Sequence, residues 1–358
     1  MKERIVVKIG SNVLTRKDGT LDVTRMSALV DQVAELHKEG IEVILVSSGA
    51  VASGKTELKI KDKLDTISAR QLYSAVGQAK LINRYYDLFH QHRIVCGQVL
   101  ATKEDFATRR HYLNQRNCMT VMLDNNVIPI VNENDTISVN ELMFTDNDEL
   151  SGLVAAMMGS HKLIILSNID GIFDGDPNKS QSKVIREIDT QKDQIEEFIQ
   201  SSKSTAGRGG MQTKYNIARK VAEEGIEVII ANGRKDNILI HLLKDKETLC
   251  TRFIPSTKGV SSVKKWIAHS EGFTKGEIHI NEGAKDALLG EKAISLLPVG
   301  VTKVTGNFET DDIVRIIDES GKQIGIGRTS YNSQKANEII GKNNKKAIIH
   351  YDYLYIEK

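Results

Sequence analysis

Cysteine is scarce in this chain of 358 residues: only Cys96, Cys118 and Cys250 occur, scattered and without CxxC spacing. That scarcity excludes a disulfide framework and a zinc site of the usual spacing, and it suits a reducing compartment. No apolar run approaches the roughly 20 residues that cross a bilayer. Charge of one sign is lacking too, since the formal net charge is +2. Without a broad basic field, neither nucleic acid nor a membrane surface is an expected partner. There are four prolines and no internal repeat or low-complexity tract. At the amino end Lys2, Glu3 and Arg4 pass straight into strand-like Ile5, Val6 and Val7. Such a start leaves no room for a secretory signal, so the expected location is the cytoplasm.

What is present is the composition of a soluble globular protein, 40% apolar and 27% charged. The length exceeds one ordinary core and fits a large and a small domain. Short β-branched runs recur at Arg4–Ile9, Glu42–Val46, Ile94–Val99, Val127–Val131, Leu163–Leu166 and Glu227–Ile230. Helical patterns fill most of the intervals, at Val23–Lys38, Thr66–Gln91, Arg109–Asn125 and Thr213–Glu224. Strand alternating with helix predicts an α/β domain over residues 1–255, a doubly wound and mainly parallel sheet sandwiched by helices.

Residues 256–274, opening with Ser256, Thr257, Lys258 and Gly259, read as a linker. Beyond it, from 275 to 358, short strands are expected at Glu277–Ile280, Val301–Val304, Ile313–Ile317, Gln323–Arg328 and Ala347–His350. Turn residues such as Glu319, Ser320 and Gly321 separate them, as in a small mixed β-barrel. This segment carries twelve basic and twelve acidic residues, so it lacks the basic footprint of an RNA-binding module. Lys342, Lys345 and Lys346 read as a solvated edge.

Polar chemistry concentrates in Val131–Leu150, VNENDTISVNELMFTDNDEL. Asn132, Glu133, Asn134 and Asp135 follow a buried-strand pattern, and Asp146, Asn147, Asp148 and Glu149 open a helix running to about Met158. Asp146 or Asn147 is the expected cap of that helix. Between the clusters, an excursion containing Ile137, Val139 and Leu142 would bring them together. Open α/β sheets bind ligands at the carboxyl ends of their strands. So many amides and carboxylates there predict a site for a charged small molecule, although an acidic surface loop would use the same residues.

Three glycine turns accompany that stretch. The first strand ends in Lys8, Ile9, Gly10, Ser11 and Asn12, where glycine lets backbone approach an anion and lysine can reach a phosphoryl oxygen. The second ends in Ser47, Ser48, Gly49 and Ala50 and feeds a helix, whose positive end favours anions. The third, Gly207–Lys214, has room to wrap a polyphosphate while Lys214 reaches its bridging oxygens. Gly49–Thr56, GAVASGKT, also matches the P-loop pattern formally. A P-loop needs an apolar helix beyond its lysine and a later strand ending in a magnesium-binding aspartate. Here Lys55 is followed by a charged stretch, and the strands ending at Val131 and Leu166 lead into Asn132 and Ser167. The match is read as accidental.

Taken together, VVKIGSNVL (Val6–Leu14), SSGAVASGK (Ser47–Lys55), NEND (Asn132–Asp135), DNDELS (Asp146–Ser151) and GGMQTK (Gly209–Lys214) resemble the amino acid kinase superfamily. The nearest branch is the one that phosphorylates glutamate and carries a C-terminal PUA domain. LLPVGVTKVTGNFETDDIV at Leu296–Val314 is similar to PUA domains, which elsewhere bind RNA. The even charge favours a regulatory or assembly role instead.

The resemblance implies that Lys8 and Lys214 neutralise the phosphoryl group in flight and that Asp148 orients them. It implies glutamate contacts from Ser48, Gly49, Asn134, Asp135, Asp146 and Asn147. The implied ATP site comprises Lys8, Gly10, Ser167, Asn168, Arg208, Gly209, Gly210, Met211, Gln212, Thr213 and Lys214. Mg²⁺ would arrive on the ATP phosphates, with no metal cage made by the protein. The implied product is L-glutamyl 5-phosphate, the first step of proline biosynthesis, with proline as inhibitor and a homo-oligomer, dimer or tetramer, as the working form. Two departures stand out: Ser167 and Asn168 replace the frequent Thr-Asp, and Arg208 stands where a small residue is common. Related kinases acting on aspartate, acetylglutamate, carbamate or a nucleotide are the first alternative, and an RNA-binding PUA protein with a vestigial kinase fold is the second. The scattered histidines form no catalytic dyad, and Tyr85 and Tyr86, with Leu81, Ile82, Leu88 and Phe89, read as core and interface.

Overall fold

The computed structural model describes residues 2–58, 64–107, 109–138, 144, 146–176, 179, 181–190, 210–244, 247–257, 274–290 and 294–356. The chain divides into two compact units, Met1–Lys103 with Leu113–Gly259, and Glu104–Tyr112 with Val260–Lys358.

Eight strands form the sheet of the first unit: β1 (Arg4–Ile9), β2 (Glu42–Ser47), β3 (Val95–Ala101), β4 (Val127–Glu133), β5 (Lys162–Ser167), β6 (Glu187–Ile188), β7 (Glu227–Asn232) and β8 (Thr251–Phe253). Their order is β3-β4-β2-β1-β5-β7-β8-β6. Pairings from β3 across to β7 are parallel, whereas β8 meets β7 antiparallel and carries β6 in its own direction. The expected parallel sheet is present, with an antiparallel edge added. At two and three residues, β6 and β8 are too short to leave a hydrophobic signature in the sequence.

Between β1 and β8 the chain forms the helices α1 (Ser11–Leu14), α2 (Val23–Lys38), α3 (Ala50–Glu57), α4 (Thr66–Gln91), α5 (Lys103–Ala107), α6 (Arg109–Asp124), α7 (Asn147–Met158), α8 (Met211–Glu223) and α9 (Ile238–Lys244). Strand alternation sorts β1 between two layers. Ile5, Val7 and Ile9 join the core made with Met26, Leu29, Val33, Tyr85 and Phe89 of α2 and α4. Val6 and Lys8 therefore emerge on the opposite face, where α7 packs on β1. Full burial of such aliphatic side chains contributes roughly 1.5–3 kcal/mol each, enough to hold the register that aims Lys8. The sheet order reverses at β1, with β2 on one side and β5 on the other, and the carboxyl ends of strands at such a point form a binding crevice.

Helix starts differ in a way that bears on this crevice. Asp22, Asp65 and Asp146 cap α2, α4 and α7 with side-chain carboxylates. Gly49 and Gly210 stand at the caps of α3 and α8 and supply no side-chain bond. Gly49 takes φ +113°, a conformation that a side chain would strain.

The formal P-loop match does not form a cradle: Ala50–Glu57 is helical. Its glycine has another purpose. A Cβ at Gly54 would lie 1.8 Å from the Tyr73 carbonyl oxygen, and one at Gly77 would lie 1.8 Å from the Ala50 carbonyl oxygen. Each glycine admits the backbone of the other helix, so α3 and α4 cross closely.

The second unit contains β9 (Gly276–Ile280), β10 (Val301–Gly306), β11 (Ile313–Ile317), β12 (Gln323–Thr329) and β13 (Ile349–Ile356), with helices α10 (Glu282–Leu289) and α11 (Ser333–Glu338). A mixed five-stranded sheet results, ordered β10-β9-β11-β12-β13, with β9 and β11 parallel and the other neighbours antiparallel. Ile278, Phe308, Val314, Ile316 and Ile349 lie in its core. The last strand was expected at Ala347–His350 but runs to Ile356. Along that edge only Ile349 and Leu354 are buried, so no continuous apolar run marks it. Lys342, Lys345 and Lys346 are exposed.

Substituting Gly77→Ala should lower unfolding stability by about 2 kcal/mol or more, because backbone rather than a yielding side chain occupies the space. Urea denaturation measures this, and a loss below about 0.5 kcal/mol would contradict the close helix crossing.

Candidate active site

Two ammonium groups from distant parts of the chain meet on one carboxylate. Lys8 Nζ lies 2.5 Å from Asp148 Oδ1, and Lys214 Nζ donates to Asp148 Oδ2 at 2.7 Å. Asp148 is fully buried, and Lys8 and Lys214 are 5% and 8% exposed. Asp148 occupies the first turn of α7 because Asp146 caps that helix, its Oδ1 accepting from the Asp148 and Glu149 N–H groups at 2.8 and 3.2 Å. Lys214 reaches it because α8 lies close against α7. A Cβ at Gly152 would sit 3.1 Å from side-chain carbons of both Ile217 and Val221.

Burial by itself would raise the Asp148 carboxyl, but the charges of Lys8 and Lys214 overcome that and draw it down to about 2. The Asp146 carboxyl moves the other way, to about 6: burial and the neighbouring Asp148 charge raise it more than the two lysines lower it. Lys8, Asp148 and Lys214 together leave one surplus positive charge on the cleft floor. Removing the central carboxylate would cost about 3–5 kcal/mol, the usual penalty for orphaning a buried ion.

A second cluster carries the opposite sign. Arg70 Nε donates to Asp135 Oδ1 at 2.7 Å, and its Nη2 donates to Glu133 Oε2 at 2.8 Å. Ser74 Oγ donates to Asp135 Oδ2 at 2.9 Å. Glu133 Oε1 accepts from Ser138 Oγ at 2.7 Å and from the Phe144 N–H at 2.9 Å. Burial pushes the Glu133 carboxyl up and the Asp135 charge adds to this, against the lowering effects of Ser138, Phe144 and Arg70. Amides link this cluster to the glycine turn of β2. Asn147 Nδ2 lies 2.9 Å from Ser48 Oγ and 3.0 Å from Asn132 Oδ1, and Asn132 Nδ2 donates to Gln78 Oε1 at 2.8 Å.

The structure brings Lys8, Gly10, Ser48, Gly49, Asp135, Asp146, Asn147, Ser167 and Lys214 to the wall of one cleft of about 670 Å³. Asp148 lies beneath them, under the two lysines. Asn134 is not on the wall; its side chain accepts from Thr136 Oγ1 at 2.5 Å. Asn168 is exposed beside Ser167, whose Oγ donates to it at 3.4 Å. Gly210, Met211, Gln212 and Thr213 form the start of α8, one turn before Lys214. Arg208 and Gly209, like Val139 and Leu142, lie outside the described residues. Arg70, Ser74, Asn132 and Glu133 belong to the site although the sequence did not single them out for roles. The available signal was the spacing of Arg70, Ser74 and Gln78, four residues apart on one face of α4.

The raised Asp146 carboxyl has a consequence for stability. Its ionised form is less favourable folded than unfolded, so it penalises folding above pH about 6, and the penalty fades as pH falls toward about 4. Asp146→Asn keeps a capping oxygen without the charge. It should raise Tm more at about pH 7.5 than at about pH 4.5; an equal effect at both, measured by calorimetry, would contradict this.

The amino acid kinase family model matches residues 3–232, and the PUA domain model matches residues 276–351. A glutamate 5-kinase of Bacteroides thetaiotaomicron is 68% identical over 355 residues, 99% of this chain and 98% of the relative. That of Chlorobaculum tepidum is 47% identical over 354 residues, 99% of this chain and 97% of the relative. Among solved structures, the carbamate kinase of Giardia lamblia bound to AMP-PNP aligns with a TM-score of 0.51 over 71% of this chain and 99% of that one, at 17% identity. That likeness concerns the fold alone. Near-full-length identity at this level, over both units, decides the matter: the chain belongs to the amino acid kinase family, within its glutamate 5-kinase group with a C-terminal PUA domain.

Proposed function

We propose that this cleft transfers the terminal phosphoryl group of ATP to the side-chain carboxylate of L-glutamate, giving L-glutamyl 5-phosphate, the first step toward proline. The observation that carries this reading is the pair Lys8 and Lys214 on a single buried Asp148. A glutamate side chain with a pKa near ~4.3 is already ionised at neutral pH, so the acceptor needs no general base. The barrier lies in bringing an anion to a polyanion. Positioning and fixed positive charge must therefore supply most of the acceleration.

Each residue then has a task. Lys8 and Lys214 follow the charge of the phosphoryl group as it moves, and Asp148 keeps both ammoniums aimed. The uncapped starts of α3 and α8 add backbone N–H groups and helix dipole toward the phosphates. Ser48 and Asn147, bonded to each other, present an amide and a hydroxyl to the acceptor. Asp135, with Glu133 beside it on the same wall, supplies negative charge for the substrate ammonium.

Asp146 suits a metal carried on the nucleotide, because its Oδ2 is buried without a hydrogen-bond partner. Mg²⁺ there would add neutralisation of the phosphates. Ser167, at the end of β5 on the wall of the same cleft and with Asn168 beside it, would face the nucleotide. Proline, which shares the ammonium and carboxylate of glutamate, would compete at the amino-acid end.

Free Cys96, Cys118 and Cys250 support a reducing cytoplasm. Among the described residues no helix is long and apolar enough to cross a membrane. The balanced charge of the C-terminal segment supports a regulatory or assembly role for the PUA domain over RNA binding, in a homo-oligomer.

The test supplies Mg²⁺, ATP and a panel of glutamate, aspartate, N-acetylglutamate and carbamate with hydroxylamine as trap. Glutamate alone should yield a hydroxamate, and an equal yield from another acid would overturn the assignment. Lys8→Met should lower kcat by about 100-fold or more, with the KM for glutamate changed by no more than about threefold.

A further inference from the structure

Arg70 stands between two buried carboxylates at the acidic end of the cleft, yet it has no task in the roles above. It comes from the second turn of α4, whose start is fixed by Asp65 accepting from the Ile67 and Ser68 N–H groups at 2.9 and 3.0 Å. Successive turns of this helix grip the strand end opposite. Arg70 holds Glu133 and Asp135, and Ser74 holds the second oxygen of Asp135. Gln78 holds Asn132, and Gln71 donates to the Thr136 carbonyl at 2.7 Å. The pattern is that of a template for the segment Asn132–Thr136.

We infer that Arg70 is a positioning residue for recognition of the amino-acid substrate, clamping Glu133 and Asp135 side by side so that their surplus negative charge meets the substrate α-ammonium. The inference rests on the function proposed above. One guanidinium against two carboxylates leaves one negative charge when both are ionised. The planar guanidinium fork sets both carboxylates in one geometry, which a lysine ammonium would not. Without that clamp the two adjacent buried carboxylates lose the guanidinium bonded to both, and their mutual repulsion drives them apart. The ammonium would then lose its partner. The Lys8, Asp148 and Lys214 group would be unaffected, so binding rather than turnover should suffer.

Glutarate, which is glutamate without its α-ammonium, separates this role from general distortion. The full chain and its Arg70→Gln and Arg70→Lys variants are assayed with ATP and Mg²⁺ for glutamyl hydroxamate, with glutarate as competing inhibitor. Arg70→Gln should raise the KM for glutamate about 10-fold or more, while kcat and the Ki for glutarate stay within about threefold. Arg70→Lys should fall between wild type and Arg70→Gln in KM, again with an unchanged Ki for glutarate. If Arg70→Gln does not fold, the Arg70→Lys comparison carries the test. An unmoved KM, or equal rises in KM and Ki, would overturn the positioning role. A wild-type chain that makes no glutamyl hydroxamate would instead overturn the proposed function, and the ammonium role with it.

Discussion

A carboxylate shared by two ammonium groups is the constraint on which the rest of this cleft depends. Asp148 holds Lys8 and Lys214 where each would otherwise be a nearly buried, uncompensated charge. Three elements must agree for that to happen. The alternation of β1 turns Lys8 away from the main core, the Asp146 cap begins α7 where Asp148 enters its first turn, and Gly152 lets α8 come close enough for Lys214 to reach. Buried ion groups seldom repay their desolvation in stability. In the proposed reaction the surplus positive charge has a use that an apolar replacement would lack.

The cleft is electrically divided. One end carries two ammoniums on one carboxylate, the other one guanidinium between two carboxylates. Asn147 lies between the two, bonded to Ser48 of the β2 turn and to Asn132 at the end of β4. A substrate with an ammonium at one end and a side-chain carboxylate at the other is oriented by such a field before any specific contact forms. In the proposed reaction the same field would bring the anionic acceptor toward phosphates that would repel it in water.

Much of this was legible in the sequence for identifiable reasons. Parallel strands buried on both faces must be β-branched and apolar, so β1, β2, β4, β5 and β7 announced themselves. The glycine turns marked the ends of β1 and β2 and the start of α8. NEND and DND marked the two sides of the polar cluster. Other features had no local signature. Arg70 and Glu133 are 63 positions apart, and a polar stripe on α4 looks like a solvated face until the strand opposite is known. Gly54 and Gly77 serve a helix crossing, yet GAVASGKT imitates a phosphate loop because glycine permits both. The edge strand β13 buries only Ile349 and Leu354, so the apolar pattern fades before the strand ends.

Whether both lysines act as a unit on one moving phosphoryl group is decided by a double-mutant cycle on kcat. Lys8→Met, Lys214→Met and the double variant are compared with wild type, using hydroxamate formation from glutamate. A unit predicts strong non-additivity, with the double variant no more than about 10-fold below the weaker single variant. Losses that multiply, each lysine contributing its full factor in the absence of the other, would mean that the two act independently.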